Sequence, residues 1–185
     1  MDTGLFGRAC QRLERQVLQK GWRPELIIGI AEGGAVVARN IFPGRPHATA
    51  HCHRSGTGHK KRASTLMRLI RRCPLWMRDL MRMAEARWLS RRREHAVTEP
   101  VLSPEACEVI SKAVFILIVD DACDSGCTLR AVYDKVMSLC QERVIVKTAV
   151  LTVTTDNPVI SPDYALYRNK TLIRFPWSMD MPHKN

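Results

Sequence analysis

The chain has 185 residues, enough for one domain with a real hydrophobic core. Its apolar content of 45% is in the globular range, and no apolar run reaches membrane-spanning length. The net charge of +11 is local: residues 45–95 carry 14 Lys/Arg against 3 Asp/Glu, while the remainder balances at 15 of each.

Seven cysteines, an odd number without framework spacing, argue for reduced thiols rather than a disulfide scaffold. The segment Met1–Lys20 mixes charges throughout and does not resemble a secretory signal, so a cytoplasmic setting is expected. The expected organisation is a single domain over 1–185, with a basic insertion at about 54–95.

Leu5, Phe6, Ala9, Leu13, Val17 and Leu18 recur at helical spacing and Gly21 is a stop signal, predicting a helix over 5–20. Leu26–Ile30 is a short apolar run that reads as a strand. It leads into a glycine-bearing turn, Ala31-Glu32-Gly33-Gly34, and a predicted helix over 35–41. Pro43–Pro46 reads as a turn and His47–His53 as an alternating strand. His47, His51, Cys52, His53 and His59 fit no standard zinc spacing, so the preferred reading is a basic, phosphate-facing loop.

Between Ala63 and Glu94, apolar stripes that include Leu66, Leu69, Trp76 and Trp88 alternate with arginines, and Pro74 interrupts them. Two basic amphipathic helices are expected there. A helical hood or dimer element is the leading reading, which makes a homo-oligomer the expected assembly. Nucleic-acid binding through 54–95 ranks second, ahead of a purely electrostatic draw on anions and of a seat on an anionic membrane surface.

Beyond a Pro100–Pro104 linker, Ser103–Ser111 reads as a short helix. Ala113–Val119 is an unbroken apolar run, the mark of a strand buried on both faces of a parallel sheet. It ends in Asp120, Asp121, Ala122, Cys123 and Asp124, followed by Ser125, Gly126, Cys127 and Thr128. Leu129, Val132, Val136 and Leu139 then continue at helical spacing. Ligands of open α/β sheets bind at the carboxyl ends of strands, and the first turn of a following helix favours an anion. Ser125, Gly126 and Thr128 suit a phosphate, Asp120 and Asp121 suit vicinal hydroxyls or Mg²⁺, and Asp124 is placed to exchange a proton. A ribose 5-phosphate ligand follows from that set. Arg143–Val153 is a further strand.

The run Ile116–Thr128 resembles the phosphoribosyl-pyrophosphate (PRPP) signature of type I phosphoribosyltransferases, closest to the 6-oxopurine branch (xanthine–guanine and hypoxanthine). The resemblance implies a mainly parallel, Rossmann-like α/β sheet flanked by helices, and a Mg²⁺-dependent transfer from PRPP to a purine-like base with release of pyrophosphate. It further implies that Asp120 and Asp121 hold the ribose and metal, that the loop to Thr128 wraps the 5-phosphate, and that Asp124 is the general acid/base. Ala31, Glu32, Gly33 and Gly34 are similar to the family's pyrophosphate loop, with Glu32 where many relatives are basic. A lysine recognises the base carbonyl in 6-oxopurine relatives, and an ungapped match puts Thr154 in its place. The tail is similar to the closing strands of xanthine–guanine phosphoribosyltransferase and makes Leu172, Phe175 and Trp177 the expected base pocket. A rival reading keeps the fold but makes the chain a non-catalytic PRPP or nucleotide sensor that binds nucleic acid through its insertion.

Overall fold

A computed structural model describes residues 3–19, 21–52 and 99–168. The chain divides into two units, Met1–Cys52 with Glu99–Asn185, and His53–Thr98. The second unit, which contains the basic insertion, lies outside the described residues.

Among the described residues the elements run α1 (Thr3–Leu18), β1 (Leu26–Ile30), α2 (Ala31–Ile41), β2 (His47–Ala50) and α3 (Pro104–Lys112). They continue with β3 (Phe115–Cys123), α4 (Cys127–Leu139), β4 (Ile145–Val153) and β5 (Tyr164–Tyr167). The five strands form one sheet in the order β2-β1-β3-β4-β5, and every strand pair is parallel. This is the doubly wound order, in which the chain reverses its direction of travel between β1 and β3.

Both faces of the sheet are covered, which is why its strands read as continuous apolar runs. Leu117 and Val119 point to one face, where they pack with Leu13 and Val17 of α1 and Val37 and Ile41 of α2. Ile116 and Ile118 point to the other, against Ile110 of α3 and Leu129, Val132 and Val136 of α4. The alternation is the two-residue period of a strand, with each side finding its own helical layer. At the amino end of the sheet, Trp22 meets Phe115 edge to face at 6.4 Å, and Lys147 Nζ lies 5.6 Å from the ring centroids of both Trp22 and Tyr164. Aromatic packing therefore closes that end.

Several boundaries differ from the sequence reading. The apolar run suggested that the central strand stops at Val119, yet β3 continues to Cys123. Its partner β4 extends equally far, with Cys123 opposite Val153, so the ladder goes on after β1 has ended. Helix α2 begins at Ala31 rather than Ala35. Ala31 makes the whole strand-to-helix turn itself by adopting φ 49°, a left-handed conformation costing about 1–2 kcal/mol for a non-glycine residue. The second strand is short, His47–Ala50, and His51 then forms an antiparallel bridge with Val101. Ser103 caps α3 by accepting from the Ala106 N–H at 3.2 Å, with Pro104 in the first turn.

Candidate active site

Because β3 and β4 overrun β1, the aspartates project where the sheet has already ended on one side. The first turn of α2 fills that step, and glycine makes the close approach possible. A β-carbon on Gly29 would stand 2.6 Å from Ala35 Cα, so α2 can lie this low on β1 only without a side chain there. A β-carbon on Gly34 would stand 2.6 Å from the Val119 carbonyl oxygen and 3.3 Å from Asp120 Oδ1. One on Gly33 would collide with Asp121 Oδ2. The glycine turn and the acid tip, 86 residues or more apart in sequence, are thus in direct contact at the topological switch point. Glu32 and Ala31 are exposed on the same turn.

Asp120 is half-buried at the strand tip. Burial first, and then the charge of Asp121, hold it well above the usual carboxylate range; Oδ1 accepting the Asp121 N–H at 2.9 Å opposes this. Two crowded carboxylates with hard oxygen donors match the chemistry of Mg²⁺. Ala122 is half-buried and Cys123 buried, where burial raises the Cys123 thiol to about 11. That thiol is a core group rather than a nucleophile. Cys52 packs against the same cluster, and burial and then Asp120 raise its thiol.

Asp124 is exposed on the bend, and its Oδ1 accepts a hydrogen bond from Thr154 Oγ1 at 2.5 Å. Ser125, Cys127 and Thr128 are half-buried around it. Gly126 takes φ 79° as the residue preceding α4, and a β-carbon there would stand 3.1 Å from Ile160 N and O. The Val159 N–H donates to the Ser125 carbonyl at 2.8 Å, so the segment 158–160 braces the bend from outside. At the start of α4 the Ser125 hydroxyl oxygen accepts the Cys127 N–H at 3.4 Å, and the first turn holds no acid. That leaves a helix end with the polarity an anion needs.

The sequence reading missed the brace at 158–160 and the Thr154–Asp124 bond. Asn157-Pro158 is a turn signal, but nothing in it says which loop it will cover. The expected base-pocket residues Leu172, Phe175 and Trp177 lie outside the described residues. A cavity of about 830 Å³ opens elsewhere, beside β2, lined by Leu26, Arg39, Phe42, Arg45, His47 and Val109 among others. None of the acid-tip residues borders it, so the chemistry argues for the acid tip over this hollow.

No protein-family model matches the chain, and no curated protein matches it in sequence. Solved structures do match in shape. A purine phosphoribosyltransferase from Pyrococcus horikoshii is 19% identical with a TM-score of 0.58, covering 100% of this chain and 96% of its own. The xanthine-guanine-hypoxanthine phosphoribosyltransferase of Helicobacter pylori is 17% identical, TM-score 0.56, over 97% of this chain and 92% of its own. A hypothetical protein from Neisseria gonorrhoeae with bound ppGpp is 16% identical, TM-score 0.63, over 97% and 89%. At such identities the likeness speaks for architecture: the chain has the α/β fold of the type I phosphoribosyltransferases, with purine phosphoribosyltransferases among its structural neighbours.

Proposed function

We infer that the protein is a Mg²⁺-dependent phosphoribosyltransferase that moves the 5-phosphoribosyl group of PRPP to a purine-like base and releases pyrophosphate. The observation that carries this reading is the acid tip itself. Asp120 and Asp121 stand against Gly34 and Gly33 at the switch point, and a helix start free of acids follows within six residues. In this reading Asp120 and Asp121 hold the ribose hydroxyls and, through them, the cation. Ser125, Gly126 and Thr128 with the first turn of α4 take the 5-phosphate, and Ala31–Gly34 faces the pyrophosphate. Mg²⁺, when bound, neutralises charge on the departing pyrophosphate. Asp124 exchanges a proton with the acceptor base, and alignment of base and anomeric carbon contributes much of the rate. The ppGpp bound by the Neisseria gonorrhoeae protein adds support, being a phosphorylated nucleoside held by a protein of this fold.

The test is a panel of nucleobases with PRPP and Mg²⁺, read by pyrophosphate release. Product with one base establishes both reaction and acceptor. Silence across the panel, with PRPP still bound in calorimetry, moves the assignment to a non-catalytic sensor. One observation favours that second reading: Glu32 is exposed in the turn where a pyrophosphate would sit, and a carboxylate there repels it.

A further inference from the structure

Asp124 lies on an exposed bend beyond the end of β3. Thr154, by contrast, is fixed. It follows the last residue of β4, and its N–H donates to the Cys123 carbonyl at 3.0 Å, carrying the β3–β4 ladder one step further. Its hydroxyl lies 2.5 Å from Asp124 Oδ1 and 3.5 Å from the Cys123 carbonyl oxygen. A hydroxyl has one proton to give, and the shorter contact takes it. The distance is that of a charge-assisted O–H···O⁻ bond.

We propose that Thr154 is a positioning residue: its hydroxyl holds the Asp124 carboxylate by Oδ1, so that Oδ2 meets the acceptor nitrogen in a fixed attitude. The role rests on the phosphoribosyl-transfer reading. The acceptor nitrogen forms its bond to the anomeric carbon with its lone pair. The bond from that carbon to the pyrophosphate oxygen breaks with its electron pair going to pyrophosphate. The N–H proton of the acceptor passes to Asp124 Oδ2. Without the threonine hydroxyl the carboxylate keeps its chemistry and loses the hold on Oδ1.

The experiment compares Thr154→Val, which keeps the shape and removes the hydroxyl, with Thr154→Ser, which keeps the hydroxyl. Both are measured with the base that the wild-type chain turns over. For Thr154→Val, kcat should fall on the order of 10- to 100-fold, the scale of a small misalignment, with KM for PRPP within about threefold. Thr154→Ser should recover kcat to within about threefold of wild type. A second readout needs no turnover. Thr154→Val should lower the urea midpoint of the wild-type background and leave that of the Asp124→Ala background unmoved. Equal loss in the valine and serine variants, or strictly additive midpoints, overturns the positioning role alone. Silence of the wild-type chain with every base overturns the transfer reading, and this role with it.

Discussion

Gly33 and Asp121 touch across the gap between two strand–helix units, closely enough that a methyl group on the glycine would overlap the carboxylate. The neighbouring Gly29 is equally tight, but there the obstacle is the backbone of Ala35, 2.6 Å away. This difference predicts different failures. In Gly33→Ala the Asp121 side chain can swing aside, so the protein should fold with a loss of about 1 kcal/mol or less while PRPP binding weakens. In Gly29→Ala a whole helix must lift, at a cost of roughly 1–3 kcal/mol. Urea unfolding and calorimetry on the two variants separate these outcomes. A Gly33→Ala protein with unchanged PRPP affinity would remove Asp121 from the binding reading.

The crowding of Asp120 and Asp121 leads to a prediction about the metal. If the pair takes part in holding Mg²⁺ with PRPP, the two ligands together should raise Tm by roughly 5–10 °C at concentrations near a hundredfold above Kd. Chelation with EDTA should reverse most of the shift. Asp120→Asn and Asp121→Asn should each fold and lose the Mg²⁺-dependent part. A full shift retained in both variants, followed by differential scanning fluorimetry, would place the cation elsewhere.

Asp124 should divide binding from chemistry. Replacing it by Asn keeps the size and the acceptor toward Thr154 but cannot take a proton. Turnover is expected to fall by about 10²- to 10⁴-fold, with KM for PRPP changed only a few-fold. Steady-state kinetics decide the matter, and parallel losses in both parameters would assign Asp124 to binding instead.

Much of this fold could be read from the chain because local pattern and burial agree. The run Ala113–Val119 announced a strand covered on both sides, and the helical spacing of Leu129, Val132 and Val136 announced the layer that covers one of them. What the pattern could not show is set by partners distant in sequence. β3 continues through four polar or small residues because β4 continues beside it, a fact of pairing rather than composition. Ala31 turns the chain in one residue with a conformation that alanine rarely adopts, so a four-residue loop was the natural expectation. At the site, residue types and order were legible in Asp120–Thr128. The bracing of Gly126 by Ile160 and of Asp124 by Thr154 joins residues 30 or more positions apart, and single-sequence patterns carry no such information.

Cys10 offers a test of the core through pH. It is fully buried in α1, and burial pushes its thiol up to about 12 from 9.0. Between pH 9 and 12 the unfolded chain has released this proton and the folded chain has kept it, so the unfolded state binds fewer protons. Stability from this group is therefore fully present below about pH 9 and is lost as pH rises toward 12, by at most about 1.4 kcal/mol per pH unit. Cys10→Ala should flatten the alkaline fall in urea midpoint by that increment, even though Cys123 contributes a slope of the same sign. Identical slopes in wild type and variant would mean that the thiol is not enclosed as described.

Beside its ladder with β4, the start of β5 is tied down by one carboxylate. Asp163 Oδ2 accepts both the N–H of Thr148, at 2.8 Å, and its hydroxyl, at 2.9 Å, while the Asp163 N–H donates back to Thr148 Oγ1 at 3.0 Å. Thr148 is only 1% exposed, so water cannot replace a partner that is taken away. Asp163→Ala should thus strand a buried amide and a buried hydroxyl together, costing on the order of 2–4 kcal/mol from the usual range per unsatisfied group. Asp163→Asn, which keeps one acceptor oxygen, should cost less than half as much. Thr148→Val in the Asp163→Ala background should recover little, because it removes one stranded donor together with the acceptor of the residue-163 N–H. Urea denaturation of the three variants, with hydrogen exchange at Ala149–Val153, reads the result. The anchoring role fails if the Asp163→Ala midpoint matches that of wild type.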